Sequence, residues 1–181
     1  MFNKKVKLKT GLVLELRPPK KSDLKPLLKY INDLSAEKTF VVSQGITFNL
    51  KDEKDYLDKS LRKIDQGNMV QIFAFDKNIL VANVSLTRSN NSIESHVCTL
   101  AIGVKKEYRD KGLGRILIKE IHSLARKQIK DIKIFRLGVF GNNIRAIHLY
   151  ESFGYLKSGL LPKGIKWRNK LVDHIYMYKK V

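Results

Sequence analysis

The stretch that decides the fold is residues 96–114, HVCTLAIGVKKEYRDKGLG, which lead directly into the segment RILIKEIHSLARKQIK (115–130). Its first nine residues are mostly apolar and rich in β-branched side chains, as in a buried strand. A short basic turn with two glycines follows. Apolar residues then recur at the spacing of one helix face: Leu113, Ile116, Leu117, Ile121, Leu124 and Ile129. The sequence therefore predicts a strand, a turn and an amphipathic helix in direct succession.

The turn at residues 109–114 has the chemistry of an anion site. The first N–H groups of a helix have no partners within it and carry the positive end of its dipole, so a phosphate binds there favourably. Gly112 and Gly114 let the backbone approach a pyrophosphate closely. Three basic side chains add positive charge: Arg109, Lys111 and Arg115. Taken alone, this pattern fits a basic surface turn equally well. The chain lacks the G-x-x-x-x-G-K-[ST] phosphate loop, and Leu117 stands where a dinucleotide-binding fingerprint requires a small residue.

A second cluster downstream decides between these interpretations. Residues 132–140, IKIFRLGVF, predict another buried strand, and the turn that follows leads into the helical segment 144–155. Here the sequence resembles the GNAT superfamily of N-acetyltransferases, most closely its ribosomal-protein branch. In that superfamily an R/Q-x-x-G-x-G/A turn binds the pyrophosphate of acetyl-CoA, and a segment N-x-x-A-x-x-L-Y-x-x-x-G-[FY] packs beside the pantetheine arm. The chain matches both motifs with these residues: Arg109, Gly112, Gly114, Asn143, Ala146, Leu149, Tyr150, Gly154 and Tyr155.

The resemblance covers nearly the whole chain and implies an α+β fold. We expect a single N-acetyltransferase domain over residues 1–181, with a mixed, mostly antiparallel central sheet flanked by helices. The resemblance also implies acetyl-CoA as co-substrate, without a metal. The residues expected to contact acetyl-CoA lie at the end of the central strand, in the glycine turn and in the second motif: Ile102, Gly103, Val104, Arg109, Asp110, Lys111, Gly112, Leu113, Gly114, Arg115, Asn143 and Tyr150.

Acetyl transfer to an amine requires a neutral amine, stabilisation of charge on the thioester oxygen and a proton for the leaving thiolate. The resemblance implies direct attack, with Tyr150 as the acid; the alternative for Tyr150 is a buried core aromatic. It also implies a carboxylate base, for which we predict Glu94, with His96 as the alternative. Glu94, His96 and Cys98 are expected to alternate on one face of the entering strand. Cys98 as a nucleophile is disfavoured, because a lone strand cysteine usually packs in a core.

Periodicity and turn residues predict the rest of the chain. The predicted elements are, in order, a hairpin around Thr10-Gly11, helices from Asp23 to about Asn32 and from Asp52 to about Gln66, strands at 69–75 and 79–86, and a tail of strand 155–160, basic loop 161–173 and strand 174–180. Residues 33–48 show no sustained period. The resemblance implies that this connector lines the acceptor site; a packed connector is the alternative.

Composition limits the classes of protein. A single cysteine excludes an internal disulfide framework, and no Cys/His spacing suggests zinc. No apolar run approaches the length of a membrane span, and the N-terminus lacks the apolar core of a signal peptide. A cytoplasmic protein without a membrane partner is expected. The net charge of +19 favours RNA or the ribosome as surroundings, although lysines scattered over solvated faces explain it as well.

The sequence leaves the acceptor amine open between three hypotheses. The first is a protein or peptide N-terminal α-amine, supported by the resemblance to the ribosomal-protein branch and by the positive charge. The second is a small molecule such as a polyamine, an amino sugar or an amino acid; a polyamine would need a local acidic pocket, for which the chain offers Asp33, Glu37, Asp52, Glu53 and Asp55. The third is a non-catalytic protein that binds acetyl-CoA or RNA. The oligomeric state, including a homodimer, is not determined by the sequence.

Overall fold

The structure is a computed structural model that describes residues 2–181. Its helices and strands are, in chain order, β1 (Lys4–Lys7), β2 (Val13–Arg17), α1 (Leu24–Ala36), α2 (Leu50–Asp65), β3 (Met69–Asp76), β4 (Ile79–Arg88), β5 (Val97–Val104), α3 (Leu113–Gln128), β6 (Ile134–Phe140), α4 (Ile144–Glu151), β7 (Leu156–Trp167) and β8 (Lys170–Lys180). Within residues 2–181, no helix combines the length and the apolar character that a membrane crossing requires.

The chain divides into two compact units. The first contains the chain up to Thr87 together with Ala101–Lys130, and the second contains Arg88–Leu100 and Asp131–Val181. Strand β5 contributes its first half to the second unit and its second half to the first. The predicted domain boundaries, residues 1–181, stay a prediction.

The first unit places helices against an antiparallel group of strands. β1, β2, β3 and β4 are neighbours in that order, and the second half of β5 lies next to β4. β3 is buried on both faces. Phe73 and Phe75 belong to a cluster with buried residues of α1 and α2, and α3 also contacts β3. Helices α1, α2 and α3 thus pack against β3, and its burial explains its almost unbroken apolar sequence.

Helix α1 is longer than the sequence predicted. It ends at Ala36 rather than near Asn32, because non-local contacts stabilise its last turn. Leu34 is buried, and Ser35 Oγ lies within hydrogen-bond distance of the Ile46 carbonyl at 2.6 Å. Asn32 exchanges two hydrogen bonds with the backbone of Phe48, at 2.8 and 3.0 Å. These contacts fold the connector 33–48 back onto α1.

The second unit contains the first half of β5, then β6, β8 and β7 as successive neighbours. β5 and β6 are parallel, whereas the β6–β8 and β8–β7 pairs are antiparallel. The prediction of a basic loop at 161–173 is wrong, because β7 continues to Trp167 and β8 begins at Lys170. Pro162 and Gly164 lie within a register shift between Leu161 and Ile165, and β7 pairs with β8 on both sides of this shift.

The pairing pattern confirms the predicted fold class. The pairs β1–β2, β2–β3, β3–β4, β6–β8 and β7–β8 are antiparallel and the pair β5–β6 is parallel, so the sheet is mixed and mostly antiparallel. With four α-helices alongside eight strands, residues 2–181 have an α+β fold. The hairpin around Thr10-Gly11 and the strands predicted at 69–75 and 79–86 are confirmed as β1–β2 and β3–β4.

Candidate active site

The glycine turn has the geometry of an anion site. α3 begins at Leu113, and Gly112 occupies the N-cap position in the left-handed region, at φ 85°. No side chain caps this helix, so its first N–H groups are not used by a capping residue. A Cβ added at Gly112 would meet only Lys9 Cγ, at 3.9 Å. The turn therefore fits a pyrophosphate, and the contacts expected of Gly112, Leu113 and Gly114 stay a prediction.

Arg109 is held by the protein itself. Its Nε donates to the Val104 carbonyl at 2.8 Å, and its guanidinium pairs with the Glu37 carboxylate. The other oxygen of Glu37 accepts the backbone N–H of Lys106 at 3.0 Å. Arg109 thus ties the turn to the end of β5 and to the residue that follows α1. The Lys111 ammonium lies over the Tyr108 ring at 5.6 Å, and the expected contacts of Arg109 and Lys111 with acetyl-CoA stay predictions.

The end of β5 lies outside the pairing with β6 and makes a close contact with helix α1. The parallel ladder with β6 contains only residues 97–99 of β5, so Ile102, Gly103 and Val104 are not part of it. At Gly103 an added Cβ would lie 2.5 Å from Tyr30 Oη and 2.9 Å from Leu34 Cδ2. Only glycine allows α1 to approach the strand this closely. Sequence periodicity assigned Tyr30 to no site, because its contact with Gly103 is non-local.

Most acidic residues near the α1–α2 connector are already engaged. Asp33 accepts from Lys105 Nζ at 2.6 Å and pairs with Lys29 at 3.3 Å. Burial opposes ionisation of Asp33, yet its hydrogen bonds and charge attraction to Lys105 and Lys29 lower its pKa. Asp52 Oδ2 accepts the backbone N–H of Asn49 at 3.0 Å and so completes the capping box of α2. Asp33, Asp52 and Glu37 therefore all form ion pairs or hydrogen bonds within the first unit.

Glu53 differs from these carboxylates, because it is buried and forms no ion pair with the part of the chain that the structure describes. It faces the core from the first turn of α2, with 5% of its surface exposed. Burial, aided by the nearby Asp52 charge, raises the pKa of Glu53 from 4.5 to about 7. A carboxyl group with this pKa is partly protonated at neutral pH.

Glu53→Gln is expected to stabilise the protein at pH 8 and not at pH 4. Below pH 4.5 the carboxyl is protonated in both folded and unfolded states; above it the unfolded state ionises first, so wild-type stability falls as the pH rises towards 7. Above pH 7, the free energy of unfolding of Glu53→Gln should exceed that of the wild type by at most about 3 kcal/mol. Urea unfolding at both pH values measures it, with exposed Asp55→Asn on the same helix as the control. An equal effect of Glu53→Gln at both pH values would contradict this assignment.

Tyr150 lies on α4 in the second unit. Asn143 caps this helix by accepting the Ala146 N–H at 3.3 Å, and its expected contact with acetyl-CoA stays a prediction. Tyr150 is 8% exposed and meets the Tyr155 ring edge-on, with 5.8 Å between centroids. Burial raises the pKa of the Tyr150 phenol to about 12, so the group stays protonated at neutral pH and can donate a proton. Its role as an acid stays a prediction.

The predicted strand position of Glu94 and His96 is wrong. β5 begins at Val97, and Glu94 lies in a short 3-10 turn, Ser92–Glu94, because it pairs with Arg136 at 3.0 Å and accepts from Ser89 Oγ at 2.9 Å. The hydrogen bonds from Arg136 and Ser89 and the Arg136 charge lower the pKa of Glu94. A carboxylate with a lowered pKa is a weaker base. Its assignment as the base stays a prediction.

Cys98 is fully buried on β5, and burial raises the pKa of its thiol to about 11. A thiol in that environment carries little thiolate at neutral pH. The interpretation of Cys98 as a packing residue is therefore favoured by its environment.

Comparison with known proteins gave three kinds of match. Residues 30–155 match the family model described as "Acetyltransferase (GNAT) family". The chain is similar to a probable spermine N(1)-acetyltransferase of Bacillus subtilis subsp. natto (strain BEST195), at 38% identity over 58 residues, which are 32% of this chain and 38% of that protein. It therefore matches well under half the length of this curated relative.

Two solved structures share the fold over most of both chains. The acetyltransferase of the GNAT family from Streptococcus pneumoniae has a TM-score of 0.83 at 24% identity, covering 93% of this chain and 99% of that one. The ribosomal-protein-alanine N-acetyltransferase from Brucella melitensis has a TM-score of 0.79 at 22% identity, covering 92% and 99%. At these identities the similarity establishes the fold.

Proposed function

The chain belongs to the acetyltransferase (GNAT) family, and from this premise we propose that it transfers the acetyl group of acetyl-CoA to the N-terminal α-amine of a protein. The prediction of an acetyl-CoA-dependent N-acetyltransferase is confirmed at the level of the family, and acetyl-CoA is the co-substrate that this implies. Beyond the family activity, the proposal specifies that the acceptor is an α-amine and that the protein acts at or near the ribosome.

The residues of the first unit would hold acetyl-CoA. The N–H groups at the start of α3, from Leu113 and Gly114, would bind the pyrophosphate with Lys111, while Arg109 positions the turn. The backbone at 102–104 would bind the pantetheine. Acetyl-CoA supplies a thioester carbonyl that is activated for attack by an amine. In the second unit, Tyr150 would donate a proton to the departing thiolate, as the family motif implies.

The choice of an α-amine as the acceptor rests on those carboxylates of the first unit that already form ion pairs or hydrogen bonds. A polyamine carries several positive charges and must overcome the repulsion of a chain with a net charge of +19. Of the carboxylates predicted to form the acidic pocket that this would require, Asp33 and Glu37 are held in ion pairs, Asp52 caps α2, and Asp55 is exposed on α2. Glu53, with its raised pKa, also contributes less than a full negative charge.

The chemistry of the α-amine suits the weak base. An α-amino group has a pKa of about 7.7–8.0, so a useful fraction is neutral near pH 7 without strong base catalysis. The side-chain amine of lysine, with a pKa near 10.4, is almost entirely protonated at that pH. A base such as Glu94, whose pKa is lowered by Arg136, therefore fits an α-amine better than a more basic amine.

One observation favours a different acceptor. The 58-residue match to a probable spermine N(1)-acetyltransferase, at 38% identity, supports a small-molecule amine as the second candidate.

Thiol release across an acceptor panel separates the two candidates. The panel contains tetrapeptides with N-terminal alanine or serine, the same peptides with the amine already acetylated, and spermine. We expect kcat/KM for a free-amine peptide to exceed that for spermine by about tenfold or more, because charge repulsion disfavours the polycation. The acetylated peptides control for hydrolysis. Turnover of spermine with none of any peptide would contradict the α-amine proposal and leave the family assignment intact.

A further inference from the structure

A cluster of four polar side chains lies in the first unit; three of them are joined by hydrogen bonds, and the fourth, Tyr30, lies against Gly103 near the end of β5. We call it the Gln71 network; its members are Tyr30, Tyr56, Gln71 and Asn83. Gln71 Nε2 donates to Tyr56 Oη at 3.0 Å and to Asn83 Oδ1 at 2.9 Å. These two bonds use both hydrogens of the Gln71 amide. Gln71 therefore has a fixed orientation, with its carbonyl oxygen directed away from these partners.

Two oxygen atoms of the network are buried without a hydrogen bond: Gln71 Oε1 and Tyr30 Oη. Their residues are 1% and 2% exposed, respectively. Burial raises the pKa of the Tyr30 phenol; the Asn83 backbone N–H lies near it but does not complete a hydrogen bond. An unsatisfied buried polar group costs about 1–3 kcal/mol, and such groups are rare in folded proteins. Two in one network indicate that the partners come from outside the chain.

The position of the network connects it to the predicted reaction centre. Tyr30 Oη is the atom that lies 2.5 Å from the Cβ position of Gly103, within the backbone segment expected to bind pantetheine. At the other side, Tyr56 is 40% exposed and Asn83 is partly exposed. The network thus extends from the surface of α2 to the strand that carries the acetyl donor in the proposed function.

We infer that the Gln71 network binds the acceptor and selects a peptide-like end. Gln71 Oε1 has an unused capacity to accept an N–H, and the Tyr30 hydroxyl has an unused capacity to donate to a carbonyl oxygen. An N–H and a C=O lie next to each other at the N-terminus of any peptide, whereas a polyamine has no carbonyl to receive the phenol. The network contains no carboxylate, so it favours a neutral end over a polycation. This inference rests on the proposed function and gives its acceptor site specific residues.

Tyr30→Phe tests the inference with the removal of one oxygen atom. We expect KM for an N-terminal alanine tetrapeptide to rise about tenfold, the value of one hydrogen bond, with kcat changed less and the acetyl-CoA Kd unchanged. The free energy of unfolding should stay the same or rise, because the hydroxyl has no partner in the free protein. Tyr178→Phe on β8 removes a hydroxyl from the second unit and is the matched control. If the network were only structural, Tyr30→Phe would leave the peptide KM unchanged, and that result would overturn the inference.

A binding readout keeps the test independent of turnover. The ¹⁵N-labelled side-chain amide of Gln71, assigned by its loss in Gln71→Met, should shift when the tetrapeptide is added in the presence of CoA. A shift without acetylation would support the network as a peptide site while the proposed function fails. Acetylation of the peptide with neither a Gln71 shift nor a KM effect of Tyr30→Phe would overturn the inference and leave the proposed function standing. Absence of both the shift and turnover would overturn both.

Discussion

Gly112→Val is expected to abolish acetyl-CoA binding. Gly112 has φ 85° and ψ −2°, a left-handed conformation that is costly for a β-branched residue. If the backbone at position 112 moved to a less strained conformation, the first N–H groups of α3 would turn away from the anion. The valine side chain would also obstruct the approach of the pyrophosphate to the backbone. Calorimetry should show acetyl-CoA binding weakened by about 100-fold or more, since two or more hydrogen bonds to a charged group are lost.

Gly11→Val is the matched control for this change. Gly11 has φ 87° in the turn between β1 and β2, and an added Cβ there meets nothing within 4 Å. Both substitutions place valine in the same strained conformation of the first unit, so both should lower stability by similar amounts. Only the change at Gly112 should affect acetyl-CoA. Tight binding by Gly112→Val would show that the N-terminus of α3 is not the pyrophosphate site.

The parts of the structure that the sequence predicted are those with local causes. The strand, turn and helix around Gly112 follow from periodicity and glycine chemistry within some thirty residues. The same holds for the Asn143 cap of α4, since the capping side chain and the N–H that it accepts are three residues apart. Such elements are specified by their own segment, and packing only selects which face is buried.

The errors have non-local causes. The last turn of α1 depends on Ser35 contacting a carbonyl eleven residues away, and the tail hairpin depends on pairing across a register shift. The Arg109–Glu37 pair joins residues 72 positions apart, and no sequence period indicates it. The motif predicts that Arg109 contacts the pyrophosphate, which stays a prediction; the structure adds that its guanidinium pairs with Glu37.

The candidate site shows the same division between backbone and side chains. Backbone groups that would bind acetyl-CoA can be inferred from glycine positions, because glycine allows a ligand or another chain segment to approach the backbone closely. The acceptor side depends on which polar groups are left unsatisfied, such as Gln71 Oε1, and this can be decided only from three-dimensional structure. The contacts with acetyl-CoA could therefore be proposed from the sequence and stay predictions, whereas the Gln71 network could not.

Tyr150→Phe is expected to lower kcat by about 100-fold or more while acetyl-CoA affinity is retained, the usual scale for loss of a general acid. Burial raises the pKa of Tyr150 to about 12, so the wild-type phenol remains protonated and its rate should show no loss of this acid up to about pH 10. Phenylalanine keeps the ring and its edge-on contact with Tyr155. The change therefore removes the proton donor with little effect on packing.

Tyr155→Phe provides the control for the Tyr150 prediction, because the family motif accepts either aromatic residue at that position. It also removes a buried phenolic hydroxyl from the second unit, and it should leave kcat within a few-fold of wild type. Single-turnover measurement of thiol release would separate the chemical step from product release. If Tyr150→Phe matched Tyr155→Phe in that measurement, Tyr150 would be a packing residue, and the proton for the thiolate would have to come from solvent or from the attacking amine itself.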